Sequence, residues 1–230
     1  YNIYIMAFED SKAFLQSNSL IAKVAFLLLV VMVFVFILRL GTQFMSWLFQ
    51  PSGSPYMIEG LIDGDQYMVI DQDPQNKNSI PILRSDDERT GIEFTWSVWL
   101  LVKDFDMDSE KYKHIFHKGN DGAAVESSGL IQPNNAPGMY IHPNKNALVI
   151  IMNTFTSINE EVVVNDVPQN KWFNVAIRVQ NKVLDVYMNG SIVVRHKLGG
   201  VPKQNYSKVY VAKNGGFNGN LSNLRYYDHA

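Results

Sequence analysis

The amino-acid sequence predicts an all-β domain, built as a two-sheet antiparallel sandwich and preceded by one transmembrane α-helix. Three observations lead to this prediction. A long apolar run lies near the N-terminus, residues of alternating polarity follow it, and Asn, Gly and Pro interrupt the alternation at short intervals. Helical periodicity is nearly absent after residue 50. With 230 residues, the chain is long enough to build a sizeable hydrophobic core.

The apolar run is predicted to be a membrane anchor. Residues 20–38 are apolar except for Lys23, and a helix of about 20 such residues crosses a hydrocarbon layer of roughly 30 Å. Lys23 and Arg39 mark the two ends of the span, where long basic side chains reach the headgroups, and Trp47 suits the interface. A buried core helix is disfavoured by the length of the run. A cleaved signal peptide is disfavoured because no small-x-small site follows.

The sequence divides into four predicted segments. They are an N-terminal segment (1–19), a transmembrane and interfacial helix (20–49), a Pro/Gly/Ser linker (50–56) and the β domain (57–230). Basic residues on the N-terminal side of the span favour a cytoplasmic N-terminus and a translocated β domain, although the side of the membrane stays open. Because the linker is short, it keeps the β domain close to the bilayer.

The β domain shows several runs of strand-like alternation. The predicted strands are residues 94–102, 147–152, 173–180, 183–188 and 191–197. Asn181-Lys182 and Asn189-Gly190 lie between consecutive runs and predict tight hairpins, the second because both central residues of a type I′ turn need positive φ. About a dozen short strands with frequent turns are typical of a two-sheet sandwich.

Short motifs of one known family follow one another along this region. Trp-x-x-Val-Ala stands at 172–176, Tyr-x-Asn-Gly at 187–190, and Phe-x-Gly-x-Leu-x-x-Leu-x-x-Tyr at 217–227, while 94–99 and 114–119 match the early core strands. Residues 57–230 therefore resemble the laminin-G and concanavalin A-like lectin/glucanase superfamily. The resemblance implies an antiparallel jelly-roll sandwich in which the Trp and Phe positions fill the core, Trp99 included.

The composition excludes several classes of function. The formal net charge is −2, and we expect no nucleic-acid partner because neutralising phosphates needs a basic stripe. The chain has no cysteine, which removes thiolate zinc sites and cysteine nucleophiles. Retaining hydrolases of the resembled superfamily carry Glu-x-Asp-x-(x)-Glu on one strand, whereas Glu160-Glu161 runs into three valines here and Glu93 stands alone. We therefore predict that the protein is not an enzyme, unless unrecognised carboxylates converge in the fold.

No metal site is predicted. The acidic segment 104–110 fails the EF-hand pattern, since Ser109 and Ile115 occupy the positions that need Gly and Glu, and it is interpreted as an acidic hairpin tip. His114 and His117 are expected to point to opposite faces of a strand, which prevents them from sharing an ion. No cofactor is therefore expected, with calcium as the candidate if a rim loop holds an ion.

Rim loops supply the tentative ligand-binding residues. These are Asn120, Asp121, Asn144 and Asn218, each of which has an equally good explanation as a turn residue. Tyr140, His142 and Trp99 are aromatic candidates for a sugar-binding rim, although a core position is favoured for Trp99. Asn205 is the most attractive of three N-glycosylation sequons.

Two functions compete on this evidence. The first is a non-catalytic, single-pass structural protein of a virion membrane, a minor capsid protein that links an internal membrane to a protein shell. Its partners would be membrane lipid and other structural or capsid proteins, and the Asn-rich, Cys-free sequence is similar in style to laminin-G-like proteins of large DNA viruses. The second is a membrane-anchored lectin whose partner is a glycan.

Overall fold

The computed structural model describes residues 12–13, 17, 19–88, 91–105, 109–123, 125 and 127–230. The chain divides into two compact units, residues 1–50 and residues 51–230. Most of the predicted N-terminal segment lies outside the described residues, as do residues 106–108 of the acidic segment.

The first unit contains helix α1, Leu20–Leu48, of 29 residues. The Ser19 side chain accepts the Ala22 N–H at 3.1 Å and caps its start, and the Phe49 N–H bonds the Met45 carbonyl at 3.0 Å at its end. Apolar side chains lie exposed around the whole circumference, as in a membrane span. In the described part of the chain, this is the helix whose length and composition suit a membrane crossing.

The second unit is built from β-strands. In the described residues these are β1 Leu61–Asp63, β2 Met68–Ile70, β3 Asp86–Glu88, β4 Gly91–Val102, β5 Lys113–Lys118, β6 Gly138–Ile141, β7 Ala147–Met152, β8 Glu160–Asn165, β9 Trp172–Gln180, β10 Val183–Met188, β11 Ser191–Lys197, β12 Val209–Val211 and β13 Gly219–Tyr227.

The strands form two antiparallel sheets. The first sheet has the order β1-β13-β4-β9-β10-β11, with β3 also paired to β4. The second sheet has the order β2-β12-β5-β6-β7-β8. The predicted two-sheet antiparallel sandwich is therefore confirmed, and the predicted strand at 147–152 lies inside the second sheet between β6 and β8.

Inward-facing side chains of both sheets form the main core. Trp96 of the first sheet packs against Phe116 of the second, with ring centroids 5.4 Å apart, and against Tyr226 at 5.2 Å. The expectation that Trp99 and Trp172 also fill this core is wrong, since they are 42% and 43% exposed. Strand alternation explains the difference, because residues three apart on one strand point to opposite faces.

The predicted hairpins form as expected. Gln180 pairs with Val183 across a two-residue turn in which Asn181 has φ 53°. In the next turn Asn189 and Gly190 have φ of 51° and 80°, the positive values that a type I′ turn requires.

The second half of the predicted linker belongs to the β unit. The Asp228 N–H bonds the Gly53 carbonyl at 2.9 Å, and the Tyr226 N–H bonds the Pro55 carbonyl at 3.1 Å. The Arg225 guanidinium lies 4.4 Å from the centre of the Tyr56 ring. Residues 53–56 therefore run along β13.

A smaller core covers part of the outer face of the second sheet. Leu130 and Ile131 pack there against Tyr140, Val149 and Ile151. Tyr140, considered above as a rim residue, is fully buried and donates its hydroxyl to Asn135 Oδ1 at 2.6 Å. The loop before β6 thus closes over a sheet face that would otherwise be open.

Candidate functional site

A cavity of about 550 Å³ opens at one end of the sandwich, where β2 and β5 end and β12 begins. Phe94, Trp96 and Tyr226 of the first sheet line its base. Its polar side chains come from three loops and the end of β5, namely Asp71, Arg84, Lys118, Asn120, Asp121, Gln204, Asn205, Tyr206 and Lys208. The site therefore combines an aromatic base with a mouth of amides and charges.

Lys118 is the most deeply buried charged group of this cavity. It follows Phe116 by two residues on β5 and so shares its inward direction, and only 8% of the residue is exposed. Its Nζ donates to the Ser207 carbonyl at 2.6 Å. Burial lowers the pKa of Lys118 to about 8, so the side chain is mostly protonated at neutral pH.

Two carboxylates at the mouth are held in ion pairs. Asp71 accepts Lys208 Nζ at 2.9 Å and the Asp73 N–H at 3.0 Å, and these bonds lower the pKa of Asp71 to about 2. Asp121 accepts Lys213 Nζ, which lowers the pKa of Asp121. Both groups are therefore ionised at neutral pH.

A buried histidine pair lies behind the mouth on the outer face of β5. A bulge between His114 and Phe116 turns Ile115 and Phe116 both into the main core, so His114 and His117 share the opposite face. The expectation that they point apart is thus wrong, since His114 Nε2 lies 2.7 Å from His117 Nδ1. The regular alternation assumed from the sequence is broken by this extra residue.

Backbone partners determine where the histidine protons lie. The Lys213 N–H donates to His114 Nδ1 at 3.0 Å, so His114 carries its proton on Nε2 and donates it to His117 Nδ1. His117 Nε2 then donates to the Asn120 carbonyl at 3.1 Å. Burial lowers the pKa of both histidines, that of His117 to about 4. The pair is therefore neutral and connects the turn at Lys213 to the mouth loop.

The predicted ligand residues do not converge. Asn120 and Asp121 lie at the cavity mouth, where Asn120 Oδ1 accepts Asn134 Nδ2 and Asp121 binds Lys213. Asn218 lines a second cavity of about 610 Å³, and Asn144 lies in the β6–β7 turn and lines neither. The contacts of Asn120 and Asp121 fit a turn role, and ligand binding by any of the four stays a prediction.

Other polar residues of interest have structural partners. Asn205 Nδ2 donates to the Lys118 carbonyl at 3.1 Å, so this sequon side chain is engaged. Glu160 Oε1 accepts His196 Nε2 at 3.1 Å and the Gly199 N–H at 2.7 Å, and Glu93 Oε1 accepts Gln180 Nε2 at 2.8 Å. Within the described residues, no group of three His, Asp or Glu side chains is arranged to hold a metal ion.

Sequence reasoning missed Lys118. The sequence does carry a signal, because Lys118 stands two residues after Phe116 on the same strand and so points to the same face. It is therefore a cation at a core-facing position. Arg84, Gln204 and Tyr206 carried no such signal, since the loops that bring them to the mouth are folded by long-range contacts.

Two facing antiparallel sheets with a cavity at their open end define a jelly-roll sandwich of the lectin type. The chain belongs to the concanavalin A-like lectin/glucanases superfamily, whose family model matches residues 74–230. A search of characterised protein sequences finds no match.

Solved structures with a similar fold are remote in sequence. The binding domain of botulinum neurotoxin serotype D matches with 12% identity over 75% of this chain and 48% of that chain, at a TM-score of 0.46. A candidate carbohydrate-binding protein from Bacteroides ovatus matches with 14% identity over 76% of this chain and 45% of that chain, also at 0.46. An alginate lyase matches with 15% identity over 62% and 66%, at 0.40. The chain spans about a third to a half of the toxin chains, from 32% to 48%.

Proposed function

We propose that the protein is a membrane-anchored, non-catalytic glycan-binding module whose ligand enters the cavity between the sheets. The observation that carries the proposal is the cavity itself, about 550 Å³ with an aromatic base and an amide-rich mouth. Ligand sites typically measure roughly 300–1,000 Å³ and combine apolar walls with a few placed polar groups. Membership of a lectin/glucanase superfamily supports a carbohydrate as the ligand.

The carboxylates of the mouth support binding without hydrolysis. A glycosidase needs one carboxylic acid with a raised pKa to protonate the leaving oxygen. The Asp73 N–H and Lys208 lower the pKa of Asp71, and Lys213 lowers that of Asp121, so neither group holds a proton at neutral pH. The protein should therefore not hydrolyse a bound glycan, and replacing Asp71 or Asp121 should not change any measured hydrolysis.

The anchor supports display at a membrane. Helix α1 has 29 residues, about 44 Å at 1.5 Å per residue, which exceeds a hydrocarbon layer of roughly 30 Å. Lys23 and Arg39 would reach the two headgroup regions, with Trp47 at the interface. Single-pass insertion, with a translocated β domain, remains our proposed topology.

A glycan screen on the full chain in lipid nanodiscs tests this function, run with calcium and then with a chelator. We expect saturable binding to one glycan class, competed by free sugar. Tyr206 is 89% exposed at the mouth, and Tyr206→Ala should weaken binding about tenfold, the equivalent of one aromatic contact. Tyr67→Ala removes a tyrosine that is 50% exposed and does not line the cavity, and it serves as the matched control. A folded chain that binds no glycan would contradict the proposal.

A second candidate function is a structural protein that links an internal virion membrane to a protein shell. The supporting observation is the outer face of the first sheet. Trp99 lies opposite Asn174, and Trp172 lies opposite Leu101, which makes the two exposed tryptophans diagonal neighbours. Exposed Leu61 lies two strands from Trp99, across Ser222. Exposed aromatic clusters are typical of protein interfaces.

The double variant Trp99→Ser, Trp172→Ser separates the two functions. A structural protein should lose its co-sedimentation with a protein shell, whereas glycan binding at the cavity should be unchanged. Trp47 lies in α1, outside this face, and Trp47→Ser is the control for the general effect of replacing a tryptophan by serine.

A further inference from the structure

Lys118 places a buried positive charge in the cavity lining, and this charge lacks a negatively charged partner among the described residues. A lysine ammonium has three donors, and the bond that holds Lys118 Nζ in place goes to a neutral acceptor, the Ser207 carbonyl at 2.6 Å. Only 8% of the residue is exposed. Burying a charge without a counter-ion is unfavourable, because the ammonium loses hydration that one neutral carbonyl does not replace.

The carboxylates around the mouth are committed elsewhere. Asp71 binds Lys208 and Asp121 binds Lys213, while Asp73 Oδ1 accepts the Gln75 N–H at 3.0 Å. Among the residues that the structure describes, no carboxylate lies within 4.0 Å of Lys118 Nζ. Arg84, which also lines the cavity, is exposed. Lys118 is therefore a buried cation in the cavity lining that no described carboxylate pairs with.

We infer that the ligand of this cavity is an acidic saccharide whose sugar carboxylate binds Lys118. This inference rests on the proposed glycan-binding function and names the class of glycan. One buried ammonium matches a group with a single negative charge, whereas a phosphate carries up to two charges and is held by several donors or an arginine fork. The sugar hydroxyls would meet the amides of Asn120, Gln204 and Asn205 at the mouth.

A purely structural role for Lys118 makes a different prediction. In that case the ammonium only ties the loop at Ser207 to β5, and any side chain that donates to the Ser207 carbonyl should suffice. Lys118→Gln keeps a donor and removes the charge, so it distinguishes the two roles. Lys203→Gln removes an exposed lysine that lies over the Phe155 ring and does not line the cavity, and it is the matched control.

The experiment measures binding of the full chain in nanodiscs to trigalacturonate, to 3′-sialyllactose and to the carboxyl methyl ester of each. We expect at least one acid to bind 30-fold or more tightly than its ester. Lys118→Gln should weaken binding of that acid at least 30-fold and abolish the preference over the ester, while Lys203→Gln changes affinity less than threefold. Near-UV circular dichroism of each variant verifies the fold.

Each contrary outcome has a distinct meaning. Binding of neutral glycans alone, or an acid preference that survives Lys118→Gln, would overturn the inference and leave the proposed function standing. Inorganic phosphate that competes as well as the acidic sugar would also overturn it, since the sugar would then contribute nothing. A folded chain that binds none of the acidic or neutral glycans would overturn both.

Discussion

At the scale of single residues, buried polar side chains on the outer sheet faces are held by chains of hydrogen bonds. Asp185 is fully buried on β10, and Arg195 binds it through two bonds of 2.7 and 2.9 Å while Arg178 lies at 3.3 Å. These partners lower the pKa of Asp185. This series of hydrogen bonds continues from Arg178 through Gln180 to Glu93. It therefore joins the four neighbouring strands β11, β10, β9 and β4. The His114–His117 pair likewise joins β5 to the loop at the cavity mouth, through the Asn120 carbonyl.

The histidine pair makes the stability of the β unit dependent on pH. Unfolded histidine has a pKa near 6.5, whereas burial holds the pKa of His117 at about 4. The unfolded chain therefore takes up protons that the folded chain does not, and the free energy of unfolding should decrease as the pH falls from 6.5 towards 4. From pH 7 to pH 5 we expect His117 alone to cost about 2 kcal/mol.

Urea unfolding at these two pH values measures the effect. His117→Gln should reduce the difference between pH 7 and pH 5, whereas His229→Gln, which changes an exposed histidine beside Asp228, should leave it unchanged. Ion-paired carboxylates do not confound this window, because Asp71 loses its contribution only below its ordinary pKa of 3.8. Equal pH dependence in all three proteins would contradict the prediction.

At the scale of elements, the loop between β5 and β6 shapes both the cavity and the covered sheet face. Its first part, at Gly119 and Gly122, lies directly against its returning part at 132–134. A Cβ on Gly122 would overlap the Gln132 carbonyl oxygen, and one on Gly119 would overlap that of Asn134. Glycine is needed at both positions because two backbones approach closely there.

Gly122→Ala should therefore separate the two parts of this loop. We expect a loss of about 2 kcal/mol in the free energy of unfolding, as for other overpacked sites, together with weaker glycan binding at the adjacent mouth. Gly199→Ala is the control, since the nearest atom to its Cβ would be Thr156 Oγ1 at an ordinary 3.5 Å. Chemical denaturation of both variants measures the difference. A Gly122→Ala variant as stable as Gly199→Ala would refute the close approach.

At the scale of the whole molecule, the two units draw on different sources of stability. The β unit has its own two cores and pairs its first strand, β1, with its last, β13. Helix α1 exposes apolar side chains on all sides, which suits the membrane span that we propose for it. Each unit should therefore keep its properties when the other is removed.

Fractionation tests this division. The full chain should remain in the membrane pellet after alkaline carbonate extraction, whereas residues 51–230 alone should fold and stay in the supernatant. Two arginines in the middle of the helix, Leu29→Arg with Phe34→Arg, should abolish insertion, because each costs about 3 kcal/mol at the bilayer centre. Gln43→Arg, near the end of the helix, should insert normally. Release of the full chain by carbonate would contradict the anchor.

Much of the fold could be predicted because it depends on local patterns. Alternation along 173–180 identifies β9, and Asn189-Gly190 identifies a hairpin, since both signals involve neighbours in the sequence. The short strands β1, β2, β3 and β12 carry three residues each and no readable period. Strands β1, β2 and β12 form because a partner strand distant in the sequence pairs with them, whereas β3 pairs with the neighbouring β4.

The sequence by itself determined the apolar helix, the two-sheet antiparallel class and the tight hairpins, because period and turn chemistry act over a few residues. Only the tertiary structure decided the candidate site. The bulge in β5 reverses the face of His114, the loop at Leu130 and Ile131 covers Tyr140, and Lys118 becomes a buried charge only when Trp96 and the loop at Ser207 close around it. Each of these depends on packing between segments far apart in the chain, and one extra residue in a strand is enough to change which side chains face the site.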